Sequence, residues 1–252
     1  MKTFNIDKLK VNVYDSRNDM GKAAAKDIKE RIVALLKEKK EINMIFAAAP
    51  SQNEVLAALA ADKDIEWEQI NAYHMDEYIG LSADAPQGFG NFLREHLFGS
   101  VPFKSVNYID ITATEPEKEA NRYGSLLAEN PTDIVVMGVG ENGHIAFNDP
   151  PVADFADKKI VKPVKLDEIC RKQQVNDGCF RTIEEVPTHA LTLTVPTLTK
   201  APYLFCIVPA MTKANAIKEM LTGTVDEHCP ASVLRTHGNA VLYLDPDSAS
   251  LL

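Results

Sequence analysis

The stretch "DIVVMGVG" (133–140), followed at once by "ENGHIAFNDPP" (141–151), decides how the chain is read. Ile134 to Met137 form an unbroken apolar run with no polar position for a solvated face, as in a strand buried on both sides. Gly138, Gly140 and Gly143 then allow tight backbone turns and close approach to a ligand. His144 follows among small residues, with Asp149 five positions on. A histidine with a carboxylate in reach can exchange protons near neutral pH. A loop histidine bonded to backbone is an equally weighted alternative. The three glycines formally match a dinucleotide fingerprint, but His-Ile-Ala-Phe-Asn-Asp-Pro follows where that motif needs a long helix.

Working outward, the same strand-then-helix rhythm recurs. "VNVYDS" (11–16), "INMIFAAAP" (42–50), "INAYHMD" (70–76), "HALTLTV" (189–195), "YLFCIVP" (203–209) and "AVLYLD" (240–245) read as strands. Helices are expected at 18–39, 51–62, 89–98, 115–129 and 211–222, the first with Ala25, Ile28, Ile32, Leu35 and Leu36 on one face. Ser51 with Glu54, and Thr114 with Glu117, have the spacing of capping boxes. Apolar strands alternating with helices predict an α/β fold: a single doubly wound, mainly parallel sheet with helices on both faces, spanning 1–252 as one domain. In such sheets ligands sit beyond the strand carboxyl ends, at the switch in strand order. That rule selects Pro50–Asn53, His74–Tyr78, Gly138–Asp149 and Val208–Lys213.

With 252 residues, 45% hydrophobic and 25% charged, the chain can bury a large core. A net charge of −9 argues against a nucleic-acid partner and requires that any anion be held by a local cation or helix N-terminus. The N-terminus lacks the apolar core of a secretion signal, and no run approaches membrane-spanning length. The four cysteines have no CxxC pairing, which predicts reduced thiols in a cytoplasmic protein and no metal site.

Three further segments carry chemistry. In "HMDEYIG" (74–80), Asp76 and Glu77 close an apolar strand, where a carboxylate can serve as a base; isolated strand-end aspartates more often cap helices or form turns. His74, inside the strand, reads as a packed histidine. "PSQNEV" (50–55) is a strand-to-helix turn whose N–H groups can hold a phosphate, or a plain helix start. Lys213 in "MTKAN" (211–215) opposes the helix dipole, so it is explained by a bound anion or is simply a surface charge. Arg171, Lys172 and Arg181 flank a polar segment and can reach an anion or stay solvated.

Taken together, "MDEYIGL" (75–81), "GVGENGHIAFNDP" (138–150), "VPTHALTLTV" (186–195), the Lys213 helix and "SVLRTHGNAVLYLDPDS" (232–248) resemble the glucosamine-6-phosphate deaminase (isomerase) family in order, over nearly the whole chain. The resemblance implies aldose–ketose isomerisation coupled to loss of ammonia, giving fructose 6-phosphate without a cofactor. It implies that Asp76 moves a proton between C2 and C1, that His144 helps open the sugar ring, oriented by Asp149, that Lys213 contacts the phosphate, and that Glu77 supports Asp76. The sequence departs from the family pattern at Asn142, where an aspartate is usual; an amide can orient a ring but cannot ionise, which makes Asp149 the sole ionised partner of His144. Asp149 itself stands where a glutamate is usual. "APSQNE" (49–54) replaces a Gly-Gly phosphate loop, so Ser51, Gln52 and Asn53 narrow the site or contact substrate. The second phosphate arginine has no clean match, with Arg171 and Arg181 as substitutes. A small-molecule sugar phosphate is the implied partner, and a homo-oligomer is left open. The alternatives are a 6-phosphogluconolactonase-like hydrolase, disfavoured by Ile-Ala-Phe-Asn after His144, and a catalytically weak sugar-phosphate sensor, disfavoured by retention of Asp76 and His144.

Overall fold

The computed structural model describes residues 1–252. Its strands are β1 (Lys2–Ile6), β2 (Leu9–Val13), β3 (Ile42–Phe46), β4 (Ile70–His74), β5 (Asp76–Tyr78), β6 (Ser105–Asn107), β7 (Ile134–Met137), β8 (Val161–Lys165), β9 (His189–Leu193), β10 (Tyr203–Val208) and β11 (Ala240–Leu244). The helices are α1 (Arg17–Leu36), α2 (Asn53–Ala61), α3 (Phe89–Leu93), α4 (Pro116–Glu129), α5 (Glu168–Asn176), α6 (Val195–Thr199) and α7 (Ala214–Thr222).

Eight strands form the main sheet in the order β1-β2-β11-β10-β7-β3-β4-β6. All neighbours are parallel except the β1–β2 hairpin at one edge. Side chains alternate along each strand, so one run feeds two cores. Val135 and Met137 of β7 join Ala120, Tyr123, Ile217 and Met220 from α4 and α7. Ile134 and Val136 instead join Met20, Ala24, Ile28 and Ile32 of α1 with Val55, Leu56 and Leu59 of α2. Strand order reverses between β3 and β7: the chain moves outward through β4 and β6, returns to β7, then moves the other way through β10 and β11. The carboxyl ends of β3 and β7 therefore flank the crevice.

Three expectations need correction. "HALTLTV" does not extend the main sheet; β9 is the middle strand of a separate antiparallel sheet, β5-β9-β8. Pro163 sits in β8, an edge strand that tolerates a missing N–H. Neither capping box forms. Pro50–Gln52 is a 3-10 turn and α2 starts at Asn53 without a side-chain cap. Glu54 instead pairs with Arg17 of α1 at 2.7 Å, and Arg17 also donates to the Pro50 carbonyl at 2.6 Å. An interhelix ion pair has thus taken the side chain that local spacing assigned to the cap. At α4 the helix opens with Pro116 after Glu115, one position past the expected box.

Candidate active site

β7 ends at Met137 and the chain folds back on itself: the Gly140 N–H donates to the His144 carbonyl at 2.9 Å, and the Gly143 N–H to the Gly140 carbonyl at 3.0 Å. A Cβ on Gly140 would lie 2.1–2.3 Å from the His144 ring, so only glycine lets the imidazole lie against the strand end. Gly143 has φ +82°, the left-handed region glycine enters without strain. Beyond the histidine, Asn148 donates to the Ile145 carbonyl at 2.9 Å and the Leu193 carbonyl at 2.8 Å, while Phe147 N–H donates to Thr192 Oγ1 at 3.1 Å. The second sheet thereby holds the histidine loop down.

His144 Nδ1 lies 2.6 Å from Asn142 Oδ1 and 3.0 Å from Asp149 Oδ1. Asn142 Nδ2 donates to the same Asp149 oxygen at 3.0 Å. Asp149 therefore does not orient the ring alone: the amide is the nearer partner and bridges ring to carboxylate. Both neighbours want a donor at Nδ1, which leaves Nε2 as the nitrogen without a protein partner. Burial pushes the Asp149 carboxyl up, but the bonds from His144, Asn142 and the Asp167 N–H outweigh it and hold Asp149 below the usual aspartate range.

Asp76 opens β5, pinned by its pairing with Thr192. Its carboxyl makes no hydrogen bond within the protein, and burial first, then the charge of Glu77, raise it well above an ordinary aspartate. Glu77 points away, accepting the N–H groups of Tyr78, Phe89 and Gly90 at 2.9, 3.0 and 2.9 Å, and so anchors the start of α3. Burial pushes Glu77 up to about 7 against those three donors.

Lys213 ends the 3-10 turn Met211–Lys213 that leads into α7. It is 4% exposed, and its ammonium has no hydrogen-bond partner. Burial lowers its pKa, partly opposed by Asp177 and Glu141. The turn is set by Ala210, in the unusual φ of 85°, whose N–H is held by the buried Asp245 carboxylate at 3.1 and 3.2 Å. Asp245 escaped the sequence reading because its partner lies 35 residues upstream.

These groups converge on one cavity of about 400 Å³, of a size that suits a small metabolite. Ser51, Gln52, Asp76, His144 and Lys213 all line it, and Asp76 and Lys213 are its only formally charged walls apart from the imidazole. Gln52 donates to Ser51 Oγ and the Ile207 carbonyl, both at 3.1 Å, so the Ser51 hydroxyl hydrogen stays free for a ligand. Sequence reading missed Gln173 and Gln174, which reach the cavity from α5, and the Phe89–Phe147 pair, stacked at 5.4 Å on its apolar side. Other candidates lie outside the lining. Asn53 is the first residue of α2, and Glu77, Asn142 and Asp149 stand behind Asp76 and His144. Arg171 Nη2 donates to the carbonyls of Ile183 and Val186, at 2.6 and 2.9 Å, while its Nε has no partner, and Arg181 pairs with Glu185 at the surface. Neither fills the place of a second phosphate arginine. All four cysteines are free thiols, and no helix is long and apolar enough to cross a membrane.

Residues 15–243 match the family model described as glucosamine-6-phosphate isomerases/6-phosphogluconolactonase. The chain is 36% identical over 213 residues to a glucosamine-6-phosphate deaminase of Listeria innocua, covering 84% of this chain and 88% of that protein. It is 32% identical to the Bacillus cytotoxicus protein of the same name, over 96% of this chain and 89% of the relative. Among solved structures, a monomeric glucosamine-6-phosphate deaminase of the NagB superfamily is 26% identical with a TM-score of 0.86, over 96% of this chain and 99% of that one. The 6-phosphogluconolactonase of Thermotoga maritima is 20% identical, covers 94% of this chain and 100% of its own, and shares the fold at a TM-score of 0.77.

Proposed function

The chain belongs to the glucosamine-6-phosphate isomerase/6-phosphogluconolactonase family, and from that premise we propose that it converts glucosamine 6-phosphate, or a close amino-sugar analogue, with water to fructose 6-phosphate and ammonia. The observation that carries this reading is the sharing of one cavity by Asp76, His144 and Lys213, whose buried ammonium has no hydrogen-bond partner. A buried ammonium without a counter-ion costs several kcal/mol, which an anionic substrate offsets. Lys213 and the Ser51 hydroxyl take the phosphate. His144 Nε2 shuttles the proton between ring oxygen and C1 hydroxyl that opens the sugar. Asp76 takes the C2 proton and returns it to C1, which leaves an imine at C2. Water adds to that carbon, and the C2–N bond breaks as ammonia leaves and the C2 carbonyl forms. The C1 carbon is reduced as C2 is oxidised, so the redox change closes within the substrate and needs no cofactor.

Asp149 and Asn142 position His144, while Glu77 tunes Asp76. Gln52, Gln173 and Gln174 supply neutral amides where a second cation would otherwise stand, which favours a ligand anchored by one lysine. The whole chain acts as one catalytic domain, and reduced thiols suit a cytoplasmic setting. The test is ammonia release from glucosamine, galactosamine and mannosamine 6-phosphates, beside N-acetylated forms and 6-phosphogluconolactone hydrolysis. Ammonia from one free amino sugar supports the reading. Lactone hydrolysis without ammonia release from any of them overturns it.

A further inference from the structure

Behind the substrate cavity, a ring nitrogen of His144, a carboxylate oxygen of Asp149 and the Cys170 sulfur all lie within 4.8 Å of one another. We propose that these three side chains form a capture site for a thiophilic divalent cation such as zinc, and that the captured ion switches catalysis off. Imidazole, carboxylate and thiolate together are a zinc or cadmium donor set, and they do not suit magnesium or calcium. Tetrahedral zinc with sulfur and nitrogen ligands sets its donors roughly 3.3–3.8 Å apart, so closing the site takes movements of about an ångström.

A second cavity of about 440 Å³ reaches Asp149 by a route other than the substrate cavity. Asp167 and Glu168 line it, opposite Lys165 and Arg171, and the Arg171 guanidinium is already engaged by two carbonyls. The cavity thus gives a cation a polar route of mixed charge to a buried ligand, with Asp167 and Glu168 on its wall. Cys170 is fully buried, and burial first, then the charges of Asp149 and Asp76, keep its thiol protonated. An incoming ion must displace that proton, so capture releases one proton per ion and tightens as pH rises.

The consequence for catalysis follows from the tautomer and rests on the proposed function. Nδ1 is the nitrogen facing Asp149. A cation held there takes the Nδ1 lone pair and moves the ring hydrogen to Nε2. Nε2 then cannot accept a proton from the sugar. The simpler alternative is a Cys170 thiol that only donates a hydrogen bond to Asp149.

Titration of the purified protein with Cd²⁺, followed by the ultraviolet cadmium–thiolate band, separates the two without any activity measurement. The expected result is one equivalent bound with release of a proton, a band absent from Cys170→Ser and retained in Cys179→Ser. Zn²⁺ should inhibit the wild type reversibly, with chelator restoring turnover, and Cys170→Ser should stay active while needing at least about tenfold more Zn²⁺ for the same inhibition. No band in the wild type overturns the proposal whether or not the variants fold. So does a band that survives in Cys170→Ser. A Cys170-dependent band on a protein that releases no ammonia would leave the site standing and sink the proposed activity instead.

Discussion

His74 and Asp76 stand at the end of β4; His144 and Asp149 stand past the end of β7. On paper the pairs look alike, and the structure uses them in opposite ways. The His74 Nδ1–H donates to the Asp76 carbonyl at 2.9 Å, and its Nε2 accepts the Ile109 N–H at 2.9 Å. Both nitrogens are spent, and burial drives its pKa down to about 4. The neighbouring Asp76 carboxyl is left with no partner. At the other strand end the aspartate is tied, to His144 and Asn142, and the histidine keeps one nitrogen free. Chemistry is available only where the protein leaves a polar group unsatisfied, so the proposed working set takes one member from each pair.

The sharpest way to break this comparison is to exchange the members. Asp76→Asn and His144→Gln should each lower kcat by about 10²–10⁴, the usual worth of a positioned acid or base. His74→Gln should leave kcat per folded molecule near wild type and cost about 1–3 kcal/mol of stability, because it strands the Asp76 carbonyl or the Ile109 N–H. Steady-state kinetics beside urea unfolding reads both. A His74 variant that folds normally but loses turnover would end the contrast.

Lys213 extends the same logic to binding. Replacing it with Met should raise KM about 10–100-fold, the worth of a charge-assisted hydrogen bond, with a smaller effect on kcat. Without ligand the variant should be at least as stable as wild type, since a buried unpaired charge is gone. Inorganic phosphate should raise the Tm of the wild type and not of the variant. Unchanged KM would move the phosphate elsewhere.

Asn142→Asp tests the tied pair. Its amide donates to Asp149 at 3.0 Å, and a carboxylate in its place puts two like charges in contact. One of the two must then bind a proton more tightly in the folded state than in the unfolded chain. The variant should lose about 1–3 kcal/mol at neutral pH and regain it as pH falls. Denaturation midpoints across pH measure this. A variant equally stable at all pH values would mean that the amide is not bridging ring and carboxylate.

The central sheet was legible because runs such as "IVVM" and "YLFCIV" have no polar face, a property each residue carries locally. The convergence of Asp76, His144 and Lys213 on one cavity was legible through motif order and strand ends. The rest depends on partners distant in the chain. β9 pairs with β5 and β8 instead of the main sheet, Glu54 is claimed by Arg17, Arg171 by two carbonyls, and Asp245 by Ala210. Spacing within one segment could not reveal which of several polar side chains a remote backbone group would take.

Glu77 gives the finest test, since its side chain acts on that of Asp76 through charge. Its negative charge raises the Asp76 carboxyl, after burial itself. Burial holds the Glu77 proton up to about pH 7, so that charge is present at and above neutral pH and absent in mild acid. Glu77→Gln should therefore ease ionisation of Asp76 near and above neutrality and raise kcat/KM there. In mild acid, where Glu77 is already neutral, kcat/KM should match the wild type. Stability gives a second reading with its own sign. Glu77 is raised from 4.5 to about 7, so the folded state holds its proton more tightly than the unfolded chain. Its contribution is then fully present below pH 4.5 and lost as pH climbs to about 7, a decline of about 3 kcal/mol. Glutamine cannot ionise, so that part of the decline should vanish in the variant. A kcat/KM profile unchanged at neutral and higher pH while the stability profile flattens would show that Glu77 anchors α3 and leaves Asp76 to burial alone.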